Sequence, residues 1–340
     1  MDNQEKHNRS DDDKLRALLF SLRYISTEIK SLRSDLLRLL TQYSTDNNGE
    51  LYERISRLLY DQQHIDKSFI SQMINKSLIT IMELRENGIC VLMIPDDEYP
   101  KRITLLKDAP FILFAKGNLA ALNPDKSIAV IGTRNADDII YNEGVEISIQ
   151  LAQHGWMIAS GLAKGCDSAG HIGCIRGKGV TTAILPSSIE KIYPSDNRGL
   201  AAEIVASGGC LLTEYLSSDQ IQRYFFVQRD RLQAALADNL LVLQTGIKGG
   251  TMHTVRFANQ YNKKVFAYMP SLDLSTHIDI MGNKELIFKK KAIGVSNIET
   301  LLECLEASDS ESNNDLLAES SSTEAHDSTG NNDQMEIPGL

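Results

Sequence analysis

The stretch Ser127 to Asp138, SIAVIGTRNADD, sets four apolar residues, Ile128-Ala129-Val130-Ile131, directly before Gly132-Thr133-Arg134. A continuous apolar run is the mark of a strand buried on both faces, the usual state of a parallel sheet. A glycine at its carboxyl end permits a tight turn and close approach of a ligand. Residues 139 to 154 then carry apolar groups at helical spacing, so the unit is strand, turn, helix. In open α/β sheets ligands sit at that edge, where helix amino termini favour phosphate. The guanidinium of Arg134 adds a fork of donors suited to the same chemistry. The plainer alternative is an ordinary turn whose arginine is merely solvated.

The pattern repeats downstream. Strands are expected at Ile128–Ile131, Trp156–Ala159, Val180–Leu185, Gly209–Thr213, Leu240–Gln244 and Lys264–Tyr268, with helices near 139–154, 166–177, 198–207, 228–237 and 252–262. Strand-helix alternation of this kind implies an α/β fold, an extended Rossmann-type doubly wound and mostly parallel sheet, over residues 127–305. Residues 77–126 form a transitional segment leading into it, with a strand at Ile89–Ile94 and a shorter one from Pro110 to Phe114 closed by Gly117. A small closing unit is expected at 284–305, with a last helix at Ile298–Leu305.

Residues 1–76 are expected to be helical. Leu15, Leu18, Leu22, Ile25, Ile29, Leu32, Leu36, Leu39 and Tyr43 alternate spacings of three and four over four heptads. A second periodic run has Leu51, Ile55, Leu58, Ile65 and Phe69. Two arrangements fit: a helical hairpin folded on itself or on the main domain, and a coiled coil joining two chains as a homo-oligomer.

The 340 residues are 42% hydrophobic, with 35 basic and 45 acidic residues for a net charge of −10. Nine of the acids lie from Glu306 onward, where there is no lysine or arginine; the body retains 35 basic against 36 acidic residues. Residues 306–340, rich in Ser, Asn and acid, read as a disordered tail. Its end, QMEIPGL, is more apolar and reads either as a docking peptide on a tether or as a plain terminus. The near-neutral body leaves room for a local basic face. No apolar run has the length of a membrane span, and the polar start MDNQEKHNRSDDDK does not read as a signal peptide. Five cysteines without a CxxC pair or zinc spacing point to reduced thiols in a cytoplasm and to no metal site.

Five further segments carry chemistry. Ser160-Gly161-Leu162-Ala163-Lys164-Gly165-Cys166-Asp167, with His171 one turn on, supplies glycines, a hydroxyl and helix-start N–H groups suited to phosphate. Asp167 is placed either to cap that helix or to meet a ligand. His171 shares its helix face, with a packed core histidine as the alternative. Tyr193-Pro194 and Asn197 form a loop, and Glu214 sits just past a strand end. The run Arg223-Tyr224-Phe225-Phe226-Val227-Gln228-Arg229-Asp230-Arg231 interleaves arginines with aromatics, a pairing suited to phosphates and stacked bases. Its alternative is aromatics in the core and arginines spent on carboxylates such as Asp230. Gly246-Ile247-Lys248-Gly249-Gly250-Thr251 follows another strand and reads as a further anion-binding turn.

In this order the segments resemble the DNA-processing protein A family over roughly residues 94 to 270. The resemblance rests on Tyr99-Pro100, Gly132-Thr133-Arg134, Ser160-Gly161-Leu162-Ala163 with Gly165, Asp167 and His171, Tyr193-Pro194, Thr213-Glu214, Phe226 with Arg229 and Arg231, and Gly250-Thr251. It implies binding of single-stranded DNA in a basic pocket, self-association, and delivery of the strand to a RecA-type recombinase in DNA uptake or recombination. Carried over, Arg134 contacts phosphate while Gly132, Ser160, Gly161 and Gly250 shape the pocket; Lys164 and Lys248 are added here from charge and placement. The sequence departs from the family pattern at Asp230, where asparagine is usual, at Val227, where proline is usual, and at Cys166, Asn142 and Met269-Pro270. These departures fit a specialised relative in a mobile element or defence module.

Two other classes use the same scaffold. LOG-type phosphoribohydrolases place a glutamate where this chain has Thr254, so a hydrolase is disfavoured and no catalytic residue is assigned. A non-catalytic sensor would bind a small nucleotide as its ligand, with no cofactor otherwise expected. Fold alone does not choose among them.

Overall fold

A computed structural model describes residues 2–25, 30–42, 48–63, 67–270 and 279–306. Strand β3, Ser127–Ile131, is wholly buried. It pairs in parallel with β4, Met157–Ser160, on one side and with β7, Asn239–Val242, on the other, so Ala129 lies between Ala159 and Leu240. This central position is why its apolar run is unbroken. From β4 the sheet continues through β5, Thr181–Leu185, and β6, Cys210–Thr213. From β7 it continues through β8, Lys264–Tyr268, and β9, Ile293–Val295. Two strands before β3 close the β6 edge: β1, Cys90–Met93, and β2, Ile112–Gly117. The nine-stranded order is β1-β2-β6-β5-β4-β3-β7-β8-β9, with antiparallel pairing only where β2 meets its neighbours.

Each parallel strand is followed by a helix. These are α6 (Asp138–Gln153), α7 (Cys166–Arg176), α8 (Arg198–Ala206), α9 (Arg223–Leu236), α10 (Thr251–Gln260) and α11 (Met281–Phe288). Helices α6, α7 and α8 pack side by side, and α9 packs beside α10. Right-handed crossovers in the two directions away from β3 put these groups on opposite faces. The chain is therefore the doubly wound, mostly parallel α/β sheet that its sequence implies.

The amino-terminal helices are α1 (Asp2–Ser21), α2 (Arg33–Gln42), α3 (Asn48–Gln63) and α4 (Lys67–Glu86), with a single short turn of helix, α5 (Lys101–Thr104), after β1. The heptads from 14 to 43 are not one helix. The chain leaves α1 through 3₁₀ turns at Leu22–Ile25 and Lys30–Leu32 before α2 begins. Leu15, Leu18, Leu22, Leu32 and Leu36 are all buried in the same core as Val91, Leu113 and Leu236. Of the two arrangements the spacing fits, these leucines take the one folded on the main domain; Ile29, Tyr43 and Ile65 lie outside the described residues. Side chains fix the junction to the sheet. Arg16 of α1 donates to both carboxylate oxygens of buried Asp96 at 2.6 and 2.8 Å and to the Val91 carbonyl. Phe20 meets Phe114 of β2 edge-on, centroids 5.8 Å apart. Helix α4 runs to Glu86, past residue 76.

The chain divides after Ser296 into two units. Of the second, residues 297–306 are described: a helix over 298–306, whose start is capped by Asn297 accepting from the Thr300 N–H at 2.9 Å. The acidic tail lies outside the described residues. Among the described residues no helix is long and apolar enough to cross a membrane.

Candidate functional site

The sheet order reverses between β3 and β7, since α6 leads away to one side and α10 to the other. The loops after these strands diverge and leave a crevice at their carboxyl ends. A cleft of about 440 Å³ lies there, lined by Gly132, Thr133, Arg134, Phe226, Arg229, Asp230, Gln233, Gly249, Gly250 and Thr251, among others. An adjoining pocket shares Arg134, Phe226 and Arg229 with it and adds Gly161, Lys164, Tyr193 and Asp196. Pieces of sequence spread over more than a hundred residues thus meet at one edge.

Contacts within the protein explain Gly132, Gly161 and Gly165 more fully than ligand approach does, whereas a Cβ on Gly250 would meet open space. A Cβ on Gly132 would stand 2.4 Å from Cys166 Sγ and 2.8 Å from the Gln244 carbonyl. One on Gly161 would run into the guanidinium of Arg229. Gly165 has φ +74, and its Cα faces the Thr133 and Arg134 carbonyls; the Cys166 N–H donates to the Thr133 carbonyl at 3.2 Å. The first turn and the start of α7 are therefore locked together, with Gly165, half-buried, at the point of contact. The far wall is held by Asn283, fully buried. Its amide donates to the carbonyls of Val242, Leu243 and Tyr268 at 3.3, 3.1 and 2.8 Å, and its oxygen accepts from the Thr245 N–H at 2.8 Å.

Arg134 is exposed and holds no ion pair among the described residues; its guanidinium carbon lies 5.1 Å from the centroid of the Phe226 ring. Tyr193 meets the same ring edge-on at 5.4 Å. The site therefore sets an unpaired cation against two partly open aromatic rings.

Arg229 is a different case, 5% exposed. Its Nη1 donates to the carbonyls of Gly161 and Ile184 at 2.6 and 3.1 Å, and its Nε lies 3.1 Å from the Asp230 carboxylate. Burial pushes Asp230 up to about 6; Arg229 pulls it down and Asp167 pushes it further up. Asp167 is also raised by burial, against the pull of Arg229. It sits inside α7 and accepts from the Ala163 N–H at 3.3 Å, tying down the preceding turn; Gly165 holds the cap position.

The segment 223–231 is the first turns of α9, not an extended element, and this sorts its side chains by face. Phe226, Arg229, Asp230 and Gln233, at helical spacing, face the cleft. Arg231 points the other way, 6% exposed, into a separate cavity under the amino-terminal helices. There it donates to Glu214 at 2.7 Å and pairs with Asp108 at 3.1 Å. Burial raises the Glu214 carboxyl, with Arg231 opposing. Arg231 and Glu214 form a structural ion pair away from the cleft. Arg223 opens α9, exposed and outside the cleft lining.

Other sequence expectations are relocated. Ser160 is fully buried and its hydroxyl donates to the Val130 carbonyl at 2.6 Å, so it turns from the cleft. His171 is fully buried; its Nδ1 lies 2.7 Å from the Thr181 hydroxyl, which itself donates to the Ile158 carbonyl at 2.7 Å. The Thr181 proton being spent, Nδ1–H is the donor to it. Burial, then Arg229, pushes His171 down to about 3, so it is a neutral core histidine. Lys164 pairs with Asp196 at the outer pocket. Lys248 lines a neighbouring groove rather than the cleft.

Sequence reasoning missed Gln233. It is 2% exposed, lines the cleft, and its amide nitrogen has no hydrogen-bond partner among the described residues. It stands seven residues after Phe226, one helix face on, and an earlier start for α9 would have found it. His253 also lines the cleft, from the first turn of α10.

The doubly wound sheet and its switch-point crevice define the class: a Rossmann-type α/β protein whose crevice is lined by polar, cationic and anionic side chains. Residues 90–306 match the family of DNA recombination-mediator protein A, and the chain belongs to that family. It is 33% identical over 198 residues to protein Smf of Borreliella burgdorferi, covering 56% of this chain and 62% of that protein. It is 32% identical over 208 residues to the DNA processing protein DprA of Bacillus subtilis, covering 61% of this chain and 69% of that one. The chain thus spans under two thirds of the Borreliella protein's length. Among solved structures, it is similar to DNA processing protein A of Helicobacter pylori, described for its single-stranded DNA binding mode. The TM-score is 0.57 at 29% identity, over 65% of this chain and 96% of that one. DprA of Streptococcus pneumoniae gives a TM-score of 0.57 at 26% identity, over 71% of this chain and 87% of that one.

Proposed function

We propose that this chain binds single-stranded DNA through the switch-point cleft, protects it, and passes it to a RecA-type recombinase. The observation that carries the reading is Arg134, an unpaired and exposed guanidinium set over Phe226 with Tyr193 beside it. A cation for phosphate next to open aromatic faces for bases is what single-strand binding needs. The recombinase follows from the family's role as a recombination mediator. Self-association is supported by Met281, Phe288 and Ile293 on α11 and β9, which are 53%, 84% and 46% exposed. A cytoplasmic setting fits cysteines that stand as thiols.

The reading assigns no catalysis. Thr254, 3% exposed, occupies the place of the hydrolase glutamate, and Glu214 is buried against Arg231 outside the cleft. The test is fluorescence anisotropy of labelled single-stranded and duplex DNA at two salt concentrations. We expect salt-sensitive binding that prefers the single strand. Arg134→Ala should lower affinity about tenfold on every sequence and make the salt slope shallower by about 0.7, the share of one single-strand phosphate. Unchanged affinity in that variant would remove Arg134 from the site. Binding of a mononucleotide by a protein with no DNA affinity would replace this reading with a nucleotide sensor.

A further inference from the structure

Beside the cleft lies a groove of about 550 Å³ on α10, lined by Lys248, Gly249, His253, Arg256, Asn259 and Lys291, among others. Gly249 and His253 line both cavities, so the two are continuous. Their charges differ. In the cleft Arg134 and Arg229 face Asp167 and Asp230, and the four cancel. The groove has three permanent cations and no carboxylate in its lining. Lys248, Arg256 and Lys291 are exposed and hold no ion pair among the described residues; Arg256 Nη2 lies 2.5 Å from His253 Nδ1. The nearby Glu285 is taken by Lys289. The groove also differs in what it lacks: no phenylalanine, tyrosine or tryptophan lines it, only the His253 ring that it shares with the cleft, whereas the cleft system has Phe226 and Tyr193.

We infer that the DNA path does not end in the cleft, and that a single strand held there continues onto the α10 groove, which grips its phosphates. This rests on the single-strand reading of the cleft. The division of labour follows from chemistry. Rings stack on bases, so the cleft holds a few nucleotides in a defined place. Lysine and arginine without large aromatic faces beside them meet chiefly the backbone, so the groove adds affinity that is independent of sequence and steeply dependent on salt. The net positive field of the interface sits on the groove, which makes it the part that draws a strand in.

The test compares oligothymidylates of about 6 and about 20 nucleotides, lengths that bracket a single-fold footprint. Anisotropy is read for the wild type and for the triple variant Lys248→Ala, Arg256→Ala, Lys291→Ala, with thermal melting to confirm the fold. The shorter strand should bind both proteins within about twofold. The longer strand should bind the variant at least tenfold more weakly, with a salt slope shallower by about 2, the share of three single-strand phosphates. A pair of charge reversals, Lys248→Glu and Lys291→Glu, should deepen the loss on the long strand alone. Unchanged binding of the long strand, or an equal loss at both lengths, overturns the groove and leaves the cleft standing. A wild type that binds neither length overturns the functional reading and the groove with it.

Discussion

Replacing Asp230 by asparagine should tighten DNA binding and stabilise the fold together. Asp230 lines the cleft, so a phosphate seated there is taken at a separation of roughly 5 Å from its carboxylate. Two unit charges at that separation repel by about 0.8 kcal/mol in water and about 3 kcal/mol at an effective dielectric of 20. Affinity at pH 7.5 should therefore rise at least fourfold in Asp230→Asn, taking the lower figure. Because Asp230 lies at about 6 in the fold, the wild type should approach the variant as pH falls to about 5. Taking the difference between the two proteins at each pH removes what every other group contributes. The sign for stability follows from the same shift. The folded carboxyl holds its proton more tightly than an unfolded one near 3.9, so ionisation disfavours the fold and stability declines as pH rises from about 4 through 6. Asparagine removes that cost, a gain of up to about 3 kcal/mol at neutral pH. The assays are anisotropy with a labelled oligothymidylate at pH 5 and 7.5, and urea unfolding at the same two values. Weaker binding by the variant at pH 7.5, or a gap between the proteins that is the same at both pH values, would refute the reasoning.

Two further outcomes test the packing behind the site. His171 sits at about 3 in the fold against about 6.5 unfolded, so its contribution is intact above pH 6.5 and falls away by about 1.4 kcal/mol per unit as pH drops towards 3; His171→Gln should show a shallower decline of urea midpoint between pH 6.5 and 4.5, and equal slopes would place the imidazole in solvent. Gly132→Ala drives a methyl into Cys166 and the Gln244 carbonyl and should cost about 1–3 kcal/mol; adding Cys166→Ala should return only part of it, since the carbonyl remains, and full recovery would mean the backbone there is pliable.

The positions of the sheet's parallel strands were legible because buried strands announce themselves as apolar runs, and β3 to β8 lie within two residues of where those runs place them. The start of α9 was not legible. Arg-Tyr-Phe-Phe-Val is rich in strand-favouring residues, and Gln222 provides no side-chain cap to mark a helix. That one boundary decided which arginine meets which cavity. Pairs such as Arg231 with Glu214 join residues on different elements, and no local pattern carries them. The heptads misled for a related reason: spacings of three and four describe which side of a helix is apolar, not whether the chain turns midway and lays both halves on one core. Helix α11 and strand β9 escaped because their run is short and their apolar residues Met281, Phe288 and Ile293 face outward.

Asn283 has a consequence beyond its own hydrogen bonds. With both amide protons and its oxygen spent on backbone groups of three separate residues and a fourth at the loop's root, it replaces the ladder pairing that β7 and β8 give up as they part. Aspartate would lose the two donors there, and leucine all three functions, so the position admits almost no chemical substitute. The loop that bounds the crevice consequently starts from an anchored root before any ligand arrives. On the single-strand reading, an incoming strand would meet a wall whose root is already fixed, and the ordering entropy that a slack root would lose on association would have been settled when the polypeptide folded.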